Sequence, residues 1–180
     1  MTKTKTWLMG LAGLCMLVGA APARAVCSQT IYGTSGNDNI VGSDLIDCIY
    51  AYEGDDTVDA KGGGDIVYGG DGADTLKGGG SDDWVDGEGG MDWVDGGNGS
   101  FDEISGGADN DQVGGSYGND WLYGDDGDDS LFGAADDDSL FGGEGNDTLF
   151  GGSGTDTANA GNGTDSCTQI ETAYVCEIFF

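Results

Sequence analysis

The chain contains no histidine, a single proline and only five basic residues among 180. Without an imidazole there is no Ser-His-Asp triad, no histidine general base and no histidine metal ligand. One proline excludes a collagen-like chain despite 38 glycines, because collagen needs much proline and a strict three-residue period. Five Lys and Arg stand against 34 Asp and Glu, a formal charge of -29. That balance argues against nucleic acids and anionic membranes as partners. It leaves either a disordered acidic chain or one that neutralises itself with cations.

What is present divides into an export segment and a repeat. Residues 1–25 read as a secretory signal peptide, with Lys3 and Lys5 at the start and an apolar run over 7–21. Ala23-Arg24-Ala25 forms a small-x-small cleavage site. The apolar run is too short to span a membrane comfortably, so no span is expected after cleavage. Cleavage would leave Lys61 and Lys77 against all 34 acids, 2 minus 34 or -32. It would also remove Cys15 and leave Cys27, Cys48, Cys167 and Cys176. Four cysteines in an exported chain suggest disulfides, with three connectivities open. Pairing Cys27 with Cys48 and Cys167 with Cys176 is the economical choice. A cysteine-only metal site is disfavoured because no CxxC spacing occurs.

From Gly33 onward the chain counts in nines. Units begin at Gly33, Gly42, Ala51, Ala60, Gly69, Gly78, Gly87 and Gly96, the last with ten residues. They resume at Gly106, Gly115, Gly124, Gly133, Gly142, Gly151 and Ala160. The sixth position holds Asp38, Asp47, Asp56, Asp65, Asp74, Asp83, Asp92, Asp111, Asp120, Asp129, Asp138, Asp147, Asp156 and Asp165. The longer unit places Asp102 one step late. The eighth position holds Ile40, Ile49, Val58, Val67, Leu76, Val85, Val94, Ile104, Val113, Leu122, Leu131, Leu140, Leu149, Ala158 and Cys167. Chance does not produce two such columns at one register.

One unit has a physical reading. Glycine-rich positions one to five are expected to form a tight turn. Positions seven to nine are expected to be extended, with the apolar eighth side chain pointing one way and its neighbours the other. One inward residue per nine cannot build a core alone. Two units would make a coil of about 18 residues, and stacked coils would give two parallel sheets about 4.8 Å between strands. The turns would then bring sixth-position carboxylates together with backbone carbonyls. Such hard oxygen ligands, six to eight per ion, suit Ca²⁺ better than Mg²⁺ or a transition metal. So thin a seam, in so acidic a chain, predicts folding coupled to Ca²⁺ binding.

Gly69-Gly70-Asp71-Gly72-Ala73-Asp74-Thr75-Leu76 and Gly142-Gly143-Glu144-Gly145-Asn146-Asp147-Thr148-Leu149 carry the full pattern. The chain resembles the hemolysin-type calcium-binding repeats, or repeats-in-toxin (RTX), over about residues 33–168. The resemblance implies an all-β fold, a parallel β-roll with Ca²⁺ between turns. It implies loop carbonyls and the sixth-position aspartates as the metal ligands. It implies domains of 26–168 for the roll, with 33–59 as degenerate first repeats or an N-terminal cap, and 169–180 as a C-terminal cap. Leu45, Ser81, Asp109 and Asp136 replace the fourth-position glycine, and the extra residue near Phe101 is expected to bulge a turn and weaken one site. The ending Glu177-Ile178-Phe179-Phe180 resembles a C-terminal secretion signal, or else covers the open end of the roll.

Other features bear on catalysis and on partner binding. Adjacent acids such as Asp82 and Asp83 could serve glycosidase-style chemistry, but carboxylates recur everywhere and no pocket is expected in a thin solenoid. Family members often carry a catalytic domain beside the repeats, and these 180 residues leave little room for one. Tyr32, Tyr50 and Tyr68 are 18 apart and should stack on one outer face. Tyr123, Phe132, Phe141 and Phe150 share the ninth position, and Trp84, Trp93 and Trp121 the seventh. An exposed aromatic face would offer a glycan or a protein a surface. Ice binding would want a regular Thr or Asn column, and the seventh position is too mixed. The expectation is a secreted, extracellular, bacterial, non-catalytic calcium-binding protein with a structural, surface or adhesion role, and alternatively a glycan- or ice-binding module or a calcium-dependent hydrolase. If the nine-residue register continues past Thr168, Cys167 and Cys176 both occupy inward eighth positions on facing sheets.

Overall fold

A computed structural model describes residues 27–174 and 176. The expected signal peptide and the last four residues lie outside the described residues. Every named element is a β-strand. The odd strands are β1 (Gln29–Tyr32), β3 (Asp47–Glu53), β5 (Ile66–Asp71), β7 (Trp84–Gly89), β9 (Glu103–Ala108), β11 (Trp121–Asp126), β13 (Ser139–Glu144), β15 (Thr157–Asn162) and β17 (Thr172–Tyr174). The even strands are β2 (Asn39–Val41), β4 (Thr57–Asp59), β6 (Thr75–Gly80), β8 (Trp93–Asn98), β10 (Gln112–Tyr117), β12 (Ser130–Ala135), β14 (Thr148–Ser153) and β16 (Ser166–Thr168). Odd strands form one sheet in sequence order and even strands form the other. All pairings are parallel, as in Leu122 opposite Leu140 and Leu131 opposite Leu149. This is the β-roll that counting in nines implies.

The strands are longer than expected. Interior strands cover positions seven to nine and then one to three of the next unit, as Thr148–Ser153 shows. Their burial alternates so that positions eight and one both face inward. The turn therefore contracts to positions four to six, and the expected five-residue turn is corrected. Position two, still in the strand, and position four both take positive φ, at Gly143 (φ 118) and Gly145 (φ 130) for example. That is why glycine recurs there. Ser81, Asp109 and Asp136 hold the same left-handed conformation at position four (φ 80, 79 and 77), so these departures leave the turn intact.

Irregularities are absorbed in turns. The ten-residue unit moves the pairing from 18 to 19 residues, Trp93 opposite Gln112 and Trp84 opposite Glu103, without breaking a sheet. At the C-terminus the register does not continue in nines. Thr172 lies opposite Thr157 and Ala173 opposite Ala158, only 15 residues on. Ala173, not Cys176, takes the place of an eighth residue, which corrects the expected cysteine geometry. Both disulfides form nonetheless, Cys27–Cys48 and Cys167–Cys176, with Cα atoms 5.6 and 5.8 Å apart.

The eighth-position side chains from Ile40 to Cys167 make one continuous buried cluster between the sheets, joined by Ala51, Ala60 and Ala160 at position one. Leu122, Leu131, Leu140 and Leu149 are all 0% exposed. Leu140→Ala should cost about 2–5 kcal/mol, because coils above and below fix the space it leaves. Urea unfolding at saturating Ca²⁺ measures this, and a loss below about 1 kcal/mol would mean the seam is not a packed core.

The aromatic rows stack as expected. Tyr32 and Tyr50 have ring centroids 5.6 Å apart, Tyr50 and Tyr68 5.0 Å, and Tyr123 and Phe141 4.9 Å. Trp84 closes the first row edge-on against Tyr68 at 4.8 Å. No helix among the described residues is long and apolar enough to cross a membrane.

Candidate metal centre

Each turn delivers its sixth residue inward, because the strand that follows starts at position seven with its side chain outward. Asp47 and the sixth-position aspartates from Asp56 to Asp165, Asp102 included, are at most 4% exposed. Asp38, on the first turn, is half-buried. The carboxylates form two columns. One runs Asp38, Asp56, Asp74, Asp92, Asp111, Asp129, Asp147 and Asp165. The other runs Asp47, Asp65, Asp83, Asp102, Asp120, Asp138 and Asp156. Within a column the backbone N–H of one aspartate donates to Oδ1 of the next, at 2.7 Å from Asp56 to Asp74 and 2.9 Å from Asp120 to Asp138. The ten-residue unit does not interrupt this, since Asp83 donates to Asp102 and Asp102 to Asp120, both at 2.8 Å. The extra residue near Phe101 is taken up in the turn, as expected, and the carboxylate ladder runs through it.

The other carboxylate oxygen is the chemically informative one. From Asp56 to Asp156, Asp102 included, Oδ2 is buried without a hydrogen-bond partner, and at Asp47 the orphan is Oδ1. Such an oxygen carries the full desolvation cost of a buried charge. It packs against the position-one glycine of its own unit. A Cβ added to Gly115 would lie 2.5 Å from Asp120 Oδ2 and 3.0 Å from Gly133 O of the next coil. The missing side chain therefore lets a carboxylate and a carbonyl of successive coils converge on the glycine. Ala51, Ala60 and Ala160 stand at the same position and are buried.

The electrostatics of the columns are unfavourable as they stand. Burial pushes Asp83 and Asp92 up to about 8 and Asp111, Asp120 and Asp138 up to about 7, with neighbouring carboxylates adding to the rise. Asp65, Asp74, Asp102 and Asp129 reach about 6 for the same reason, although the backbone N–H bond to each opposes the shift. Among the described residues no basic side chain neutralises the columns. Lys61 pairs with Asp59 at 2.5 Å and Lys77 sits 5.5 Å from the Trp93 ring centroid, both away from the columns.

These oxygens fit a hard divalent cation. Carboxylate and carbonyl oxygens are the donor set of Ca²⁺, and no nitrogen or thiolate competes. Among the described residues no three acidic or sulfur side chains converge on one point. A site in these columns must therefore combine carboxylates with backbone carbonyls across turns. A family model for the RTX calcium-binding nonapeptide repeat matches the chain at residues 30–67, 68–100, 101–116, 105–140, 114–149 and 132–167. The chain belongs to that family of calcium-binding repeat proteins. A search of curated proteins found no match to the chain. In this RTX chain the matched repeats and the buried aspartate columns span the same residues.

Sequence reasoning missed a second ladder. Fifth-position Asn and Asp side chains accept N–H bonds from the next coil, Asn110 from Asp128 at 2.9 Å and Asp128 from Asn146 at 2.7 Å. The acids Asp55, Asp128 and Asp137 thus tie successive turns together. The enrichment of Asn and Asp at position five was the available signal.

Proposed function

We propose that the protein is an exported calcium-binding scaffold whose β-roll folds on Ca²⁺, with each ion shared between successive turns. The ligands in this reading are the position-six aspartates of both columns, Asp38 to Asp165, together with turn carbonyls. The roll over 26–168 is the functional unit, and residues 1–25 direct export. The row of buried, unpartnered Oδ2 atoms carries the reading, since it is a charge pattern that bound cations relieve at neutral pH. Ca²⁺ supplies neutralisation and cross-links between coils, while the aspartates hold the oxygens in place and the glycines let carboxylate and carbonyl approach each other. The role is structural and non-catalytic, at a surface or in adhesion. The stacked tyrosines, with Tyr32 63% and Tyr52 49% exposed, supply a face for a glycan or protein.

Circular dichroism during a Ca²⁺ titration from chelator tests the reading. The expected result is a cooperative rise in β signal with added Ca²⁺ and little response to Mg²⁺. An ordered β spectrum that persists in chelator near pH 7.5 would sink it.

A further inference from the structure

We propose that Glu171 completes a further cation site at the C-terminal end of the second column, outside the nonapeptide repeats. The inference rests on the reading of the columns given above. An 18-residue step from Asp156 falls on Tyr174, so the repeat register supplies no acid for the last rung. The final return is instead three residues short, with Thr172 opposite Thr157. This places Glu171 where a sixth-position aspartate would stand. Asp156 N–H donates to Glu171 Oε2 at 2.7 Å, just as Asp138 N–H donates to Asp156 Oδ1 at 2.9 Å. Thr172 N–H donates to Asp156 O at 3.1 Å, repeating the bond from Thr157 to Asp138 O at 2.9 Å. A shortened turn leaves a longer reach, and glutamate has one more methylene than aspartate.

The rest of the rung is also present. Asp156 is 0% exposed and its Oδ2 has no partner. A Cβ on Gly151 would lie 2.5 Å from that Oδ2 and would collide with Gln169 O, which replaces the position-one carbonyl of the repeats. Asp156 Oδ2, the Gln169 carbonyl and the Glu171 carboxylate are hard oxygens suited to a divalent cation of the Ca²⁺ class. The segment is held at both ends, because the Cys167–Cys176 disulfide brackets it and Ile170 packs on the core. The family match ends at residue 167, so this site is not part of the repeat pattern.

Native mass spectrometry of the full chain at saturating Ca²⁺ tests this with Glu171→Gln, which keeps an oxygen acceptor for the Asp156 N–H and removes only charge. The expected result is one ion fewer than wild type. An equal count in the variant overturns the proposal. Should the variant fail to fold, hydrogen exchange on the wild type decides instead. The Asp156 and Thr172 amides should become protected as Ca²⁺ is added, and fast exchange at saturation refutes the site. A wild type that binds no Ca²⁺ at all overturns the parent reading as well, and is told apart by the silence of the interior rungs.

Discussion

Kept in chelator, the protein should gain β structure as pH falls from about 8 to about 5. The position-six carboxylates are raised in the folded chain, Asp83 and Asp92 to about 8 and Asp111, Asp120 and Asp138 to about 7. The unfolded chain has ordinary aspartates near 3.9. Between these limits the folded state binds more protons, so stability falls as pH rises. The contribution is fully present below the unfolded value and is lost as pH rises through about 6 to 8. Protons then do part of the work of cations by neutralising the columns. With Ca²⁺ present the dependence reverses in sign, because protons compete for the same oxygens and acid raises the Ca²⁺ needed to fold. Circular dichroism at fixed pH steps, with and without chelator, reads both limbs. A chelated chain equally disordered at both ends of the range would contradict the burial of these groups.

The double variant Asp120→Asn with Asp138→Asn should raise the Ca²⁺ concentration at half-folding by at least about a hundredfold. Removing one partner from a buried ion pair costs about 3–5 kcal/mol, and each 1.4 kcal/mol is about tenfold. Asparagine keeps the Oδ1 acceptor of the ladder, so the bond from Asp120 to Asp138 survives and the loss is of charge. In chelator the same variant should be less disordered than wild type, since two repelling buried carboxylates are gone. That crossing of effects is hard to produce by simple damage to the fold. Asp71→Asn with Asp126→Asn is the control, because both residues are exposed at strand ends. The control should shift the midpoint only slightly, through long-range attraction. Equal shifts in the two double variants would place the ions outside the columns.

Much of this architecture was legible because both periodic columns are compositional. Aspartate at position six and an apolar residue at position eight announce a coil of two units, and the paired sheets follow from stacking. The aromatic rows were legible for the same reason, since Tyr32, Tyr50 and Tyr68 recur at the coil period. The strand length was not. Glycine at position one suggests a turn, yet Gly115 lies inside β10, where it is small because Asp120 Oδ2 and Gly133 O need the space. Composition cannot tell a glycine chosen for φ from one chosen for room. The last coil was hidden as well, because a three-residue deletion breaks the count and Glu171 does not match an aspartate column. The fifth-position ladder was visible only as an excess of Asn and Asp, which a loop would also show.

The most direct measurement is anomalous diffraction from crystals grown with Ca²⁺. The account predicts two lines of Ca²⁺ peaks, one along each turn column, each peak between position-six carboxylates of successive coils and beside the position-one glycine. Peaks confined to exposed acids such as Asp71 or Asp126, with the buried Oδ2 atoms left without an ion, would contradict it.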